Sequence, residues 1–158
     1  MRIKGKLIGA PKPRLCVIER GDETYVFTIN AVLDYSKFDE LCPTPKPPRV
    51  MKPGGGVSED PMNGDYLKKL QTYSEQKTHW LLISALAETE GLEWDKVKLG
   101  EPDTWSLYMD ELKESGLTEG ELAHLINQVY VTNSLDESKM DEALERFIRS
   151  QEATEEQS

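Results

Sequence analysis

The chain has 158 residues, with 29 Asp or Glu against 19 Lys or Arg, for a net charge of −10; this suits one domain or a small domain plus a helical one, and the acidic balance argues against DNA or RNA as the main partner, because phosphate binding needs clustered cations. Hydrophobic residues make up 37%, enough for a core but not a large one, and no apolar run approaches the roughly 20 residues of a membrane span. No basic-then-apolar leader opens the chain and its two cysteines, Cys16 and Cys42, make no disulfide framework, so a soluble, cytoplasmic chain with free thiols is expected.

Residues 1–41 read as a small β unit. Ile3, Gly5 and Leu7 alternate with Lys4 and Lys6, the period of a half-buried strand over Ile3 to Ile8. After Pro11 and Pro13, Arg14 to Glu19 puts Leu15 and Val17 on one face and Cys16 and Ile18 on the other. Arg20-Gly21-Asp22 is a turn, and Glu23 to Asn30 (ETYVFTIN) is rich in β-branched and aromatic residues. An antiparallel hairpin from Arg14 to Asn30 follows, with Ile3 to Ile8 as a third strand. Asp34 then caps one or two helical turns carrying Tyr35, Phe38 and Leu41.

Residues 42–64 read as a linker. Leu41 to Val57 holds Pro43, Pro45, Pro47, Pro48 and Pro53, then Gly54 to Gly56. Proline fixes φ and donates no backbone hydrogen bond, so this stretch is expected to be a polyproline-like strap, without helix or central strand, that loosens at the glycines. The charge changes across it. Residues 1–58 carry ten cations and six carboxylates, a net of +4; residues 59–158 carry nine and twenty-three, a net of −14.

Residues 65–150 read as a helical bundle of about four helices, making the fold class α+β. The first helix runs from an Asp65 cap to about Glu90, and Gly91 ends it. Its second half, WLLISALA from Trp80, is apolar almost all round, so it is expected to be buried on every side. Leu92 to Leu99 is ambiguous between short helix and extended connector, with Trp94 and Val97 packing inward. Asp103 caps a helix over Thr104 to Glu114. Thr118-Glu119-Gly120-Glu121 is a capping box that opens a helix carrying Leu122, Leu125, Ile126 and Val129. Asp136 caps a last helix, Glu137 to Ile148, with Met140, Leu144, Phe147 and Ile148 inward. Residues 151–158 form an acidic tail expected to be disordered.

Chemistry is sparse. His79 and His124 are the only histidines, and neither they nor the cysteines have the paired spacing of a metal site. Sequence alone leaves a Cys–His nucleophile pair open; the plainer reading makes Cys16 a strand residue of the core and Cys42 a loop residue. Gly54 to Gly56 lacks the Lys-Ser/Thr of a phosphate loop. No catalytic residue, cofactor or metal is expected, and the pattern favours a binding protein over an enzyme.

The opening RIKGKL, the block AVLDYSKFDELCPTPKPP with KPGGG behind it, WLLISALAETEGLEWDKV, the EPDTW helix start and NSLDE before the last helix carry a resemblance over roughly Met1 to Ser150. In their order and texture the chain resembles the tail assembly chaperones of long-tailed, siphovirus-type bacteriophages. The resemblance implies a non-enzymatic protein of the host cytoplasm, absent from the finished virion. Such a protein binds the tape measure protein, keeps it soluble and helps recruit major tail tube subunits; some families also make a frameshifted extended form. On this reading the client-binding candidates are Trp94, Trp105, Tyr108, Leu125, Val129 and Tyr130, although an apolar stripe at helical spacing usually packs within its own chain. The opposite charges of the two units suit a homo-oligomer. The alternatives are a phage-encoded adaptor or inhibitor that docks a host protein through the Pro-rich strap, and an enzyme using Cys16 or Cys42.

Overall fold

The computed structural model describes residues 1–157, and the fold is α+β. Strands β1 (Arg14–Arg20) and β2 (Glu23–Ile29) form an antiparallel hairpin, followed by α1 (Ser36–Leu41). A second, small hairpin comprises β3 (Arg49–Met51) and β4 (Val57–Glu59). Helix α2 (Gly64–Leu86), a 3-10 segment (Pro102–Leu107), α3 (Tyr108–Glu114), α4 (Glu119–Thr132) and α5 (Glu137–Glu156) complete the chain.

The first hairpin follows its pattern of two. Arg14 pairs with Ile29 and the ladder runs without slip to Arg20 opposite Glu23. Gly21 makes the turn at φ 60°, a conformation open to glycine without strain. Cys16, Ile18, Phe27 and Ile29 point inward and are buried, whereas Leu15, Val17 and Val26 face outward. The expected third strand does not form. Ile3 and Lys6 bond to each other's backbone at 2.9 and 3.1 Å, closing a tight turn with Lys4 at φ 52° and Gly5 at φ 75°. A chain folded back on itself there cannot run extended along β1.

The strap also differs from its reading. Met51 pairs with Val57 and Arg49 with Glu59, across a turn whose three glycines sit at φ 90°, 98° and 97°. The ladder survives because four of the prolines lie before Arg49 and Pro53 lies in the turn, so no paired strand residue lacks an N–H.

Helix α2 is capped by Asn63, whose side chain accepts the Tyr66 N–H at 3.1 Å, two residues before the expected Asp65. Its 23 residues span about 34 Å. Trp80, Leu81, Leu82, Ile83, Ala85 and Leu86 are all buried. The helix stops at Leu86 rather than Glu90 because the hairpin engages the chain there. The Asn30 N–H donates to the Ala85 carbonyl at 2.9 Å, and the Thr28 N–H donates to the Thr89 hydroxyl at 3.0 Å.

On the other side of α2, Pro102 opens a 3-10 segment instead of the single Asp103-capped helix expected. This segment carries Trp105, which is fully buried. Its indole N–H reaches the Lys98 and Leu99 carbonyls at 3.1 and 3.2 Å, so this fully buried indole has no orphaned donor. Phe38 from α1, also fully buried, lies 5.8 Å from Trp80 and 6.1 Å from Trp105, centroid to centroid. Buried side chains from the first hairpin, α1, α2, α3 and α4 form one cluster, so the β unit and the helices share a core.

Helix α5 departs furthest from expectation. Asp136 does cap it, accepting the Ser138 and Lys139 N–H groups. It then runs through the region read as a disordered tail, as far as Glu156, and none of its residues is buried. Met140, Leu144, Phe147 and Ile148 are 55, 57, 59 and 47% exposed, where inward packing was expected. Helical spacing fixed which face they share but not whether anything lies against it.

Two truncations of comparable size separate core from surface. Trp105→Ala should lower unfolding free energy by about 3–5 kcal/mol, and Phe147→Ala by less than about 0.5 kcal/mol at concentrations where the chain is monomeric. Denaturant titrations of both variants check this; equal losses would contradict the burial described.

Candidate functional site

A cleft of about 730 Å³ opens between the first hairpin and the α3–α4 turn. Its position follows from how two carboxylates tie irregular backbone in place. Residues 92–99, ambiguous in sequence, form an irregular connector that bends at Asp95 and Lys96 and is neither helix nor strand. Glu111 on α3 accepts the N–H groups of Asp95 at 2.5 Å, Lys96 at 3.2 Å and Val97 at 2.9 Å. One side chain thus satisfies three donors that a helix would otherwise have to satisfy. The Thr104 hydroxyl accepts a fourth, from Lys98, at 2.9 Å.

The second carboxylate is Glu121. It completes the expected capping box, accepting the Thr118 N–H at 2.9 Å while the Thr118 hydroxyl accepts the Glu121 N–H at 3.2 Å. It is also gripped by both arms of the Arg20 guanidinium, and Arg20 donates further to the Gly116 carbonyl at 3.0 Å. This fork fastens the end of β1 to the start of α4. The Arg20 hydrogen bond, with the Thr118 N–H second, holds the Glu121 carboxyl down from its ordinary 4.5 to about 2.

Between these anchors, Ile18, Phe27, Leu92, Trp94, Leu112 and Leu117 line the cleft with apolar surface. Glu93, Asp95, Glu111 and Glu114 line it too, and its one cation, Arg20, is spent on Glu121. The site is therefore an apolar trough with an acidic border. It suits a segment that presents apolar side chains flanked by Lys or Arg.

The structure scatters the six candidates named from sequence. Trp105, Tyr108, Leu125 and Val129 are buried in the shared core, because they sit on the faces of the 3-10 segment, α3 and α4 that close over α2; no partner reaches them in this fold. Tyr130 is partly buried on α4, away from the cleft. Only Trp94, partly buried, stands at the cleft wall. Sequence reading missed Tyr25, Phe27, Leu92 and Leu117, which meet only in three dimensions.

Both cysteines are enclosed and His79 is partly buried, whereas His124 lies exposed on α4. Cys16 and Cys42 are buried free thiols, and burial pushes both pKa values up, away from the thiolate a nucleophile needs. His79 packs on the Tyr108 ring at 5.4 Å, and burial lowers its pKa. Among the described residues no group of three His, Cys, Asp or Glu side chains is placed to hold a metal ion, and no helix is long and apolar enough to cross a membrane.

Fold and site together define a small α+β protein with an acidic-bordered apolar cleft. No protein-family model matches the chain, and neither a curated protein nor a solved structure matches it.

The two carboxylates give separate expectations. Because the Glu121 pKa is depressed on folding, its stabilisation is present above about pH 4.5 and is lost as pH falls toward 2. Glu121→Gln should lower stability at pH 7 and flatten the acid limb of the stability curve over that window; an unchanged limb would mean that the Arg20 fork does not stabilise the fold. Glu111→Ala should speed amide exchange at Asp95, Lys96 and Val97 by more than about tenfold while sparing α2, and uniform exchange rates would contradict the anchoring role.

Proposed function

We propose that this chain is a non-enzymatic tail assembly chaperone of a long-tailed bacteriophage. It binds the tape measure protein in the host cytoplasm, keeps it soluble, helps recruit major tail tube subunits, and is left out of the finished virion. The sequence texture described above motivates the client. The observation that carries the mechanism is the acidic-bordered apolar cleft beside Trp94, with its single cation already paired.

The physics of capture is direct. A long helical client exposes apolar side chains that associate with one another before assembly. A trough floored by Phe27, Leu92, Trp94 and Leu117 removes such side chains from water. Glu93, Asp95 and Glu114 favour a segment with basic flanks and disfavour the chaperone's own acidic surface. Trp94 is the anchor, being the large aromatic on the wall. Client segments released from the cleft are then free to accept tube subunits.

A host-protein adaptor acting through Pro43 to Pro48 is the second reading. It draws on the exposure of Pro43, Lys46 and Pro48, although Pro45 and Pro47 are half-covered and Thr44 bonds the Tyr73 hydroxyl at 3.3 Å.

Co-expression with the tape measure protein of the same genome separates the readings. The client should stay soluble and co-elute with the chain on size-exclusion chromatography. Trp94→Ala should weaken that complex by about 2 kcal/mol, roughly thirtyfold, and Glu93→Lys with Asp95→Lys should weaken it further. A client that precipitates regardless, or a complex indifferent to these cleft changes, would overturn the proposal.

A further inference from the structure

Among the exposed apolar surfaces of this chain, two carry opposite charges. The first is the face of α5 carrying Met140, Leu144, Phe147 and Ile148. Its i, i+4, i+7, i+8 spacing makes one stripe about 12 Å long, on a helix with seven carboxylates and three cations, a net of −4. The second is the segment Met1 to Pro13. It carries Arg2, Lys4, Lys6 and Lys12 and no carboxylate, a net of +4. Met1, Ile3, Leu7 and Ile8 within it are 92, 55, 69 and 75% exposed, so the segment is not laid on its own α5.

We propose that the chain forms a two-fold dimer in which the Met1 to Ile8 segment of each copy covers the α5 stripe of the other. Each surface supplies what the other lacks: four large apolar side chains on each side, and cations facing carboxylates. Pairing α5 with a second α5 would bury the same stripe but oppose two helices of net −4, which like-charge repulsion disfavours.

The roots of the two elements adjoin. Pro11 to Arg14 and Val131, Thr132 and Ser134 line a common hollow of about 460 Å³, and α5 begins three residues beyond Ser134. Pro11 and Pro13 stiffen the segment where it leaves β1. With the two roots adjacent in each copy, a two-fold axis beside this hollow would let both exchanges form together, making the interface self-complementary and closed. Closure also doubles the buried surface relative to a single exchange. The inference stands apart from the cleft and its client.

The test uses the full chain and sedimentation equilibrium. The wild type should dimerise, and rising salt should weaken the dimer. Ile3→Ser with Leu7→Ser, and separately Leu144→Ser with Phe147→Ser, should each weaken self-association by at least about tenfold. Neither pair is buried, so circular dichroism and melting of the dissociated chain should be unchanged. An equimolar mixture of the two double variants should recover a heterodimer, because one exchange remains intact in it. A wild type that stays monomeric, a dimer indifferent to the Ile3/Leu7 pair (as α5 self-pairing requires), or a mixture with no recovery would each overturn the proposal.

Discussion

A helix segment without a polar face has to be covered on every side, and Trp80 to Leu86 is such a segment. The rest of the fold answers that demand. The first hairpin brings Cys16, Ile18, Phe27 and Ile29 to it, α1 brings Phe38, the 3-10 segment brings Trp105, and α4 brings Leu122, Leu125 and Val129. Fully covering side chains of this size stabilises by roughly 1.5–3 kcal/mol each, which offsets the ordering of the connectors that deliver them. The backbone bond from Asn30 to Ala85 and the Thr28–Thr89 exchange then fix where the hairpin meets the helix.

Much of the acidity is surface, but two carboxylates are structural. Glu111 stands in for a helix by accepting three connector N–H groups. Glu121 joins a helix start to a strand end through Thr118 and Arg20. The cleft lies between these two anchors, so its shape is set by charge-assisted hydrogen bonds rather than by regular secondary structure. The same bonds occupy Arg20, the one cation on its wall, and leave the border acidic.

Legibility in the sequence tracked how local each cause was. The Arg14–Asn30 hairpin was readable because alternation and Gly21 lie within one short stretch. The capping box at Thr118 and the all-round apolar half of α2 were readable for the same reason. The third strand was misread because Lys4 and Gly5 both take positive φ, which period-two spacing does not reveal. The second hairpin was missed because proline content was averaged over the strap, whereas the strands occupy its proline-free parts. The α5 stripe was assigned inward because spacing identifies a face, not a neighbour. The site was least legible. Its walls come from residues as far apart as Ile18 and Leu117, and of the six apolar candidates four are the core that positions it; Trp94 alone lines it.

Hairpin and helices form one core, with the α5 stripe and the N-terminal segment left outside it. Native-state amide exchange under increasing denaturant tests this most directly. Amides of β1, β2, the second half of α2 and α4 should open together, with one free energy and one denaturant dependence. A hairpin that opens separately, at lower free energy and with a shallower dependence, would contradict it and make the β unit a satellite of an independent helical domain.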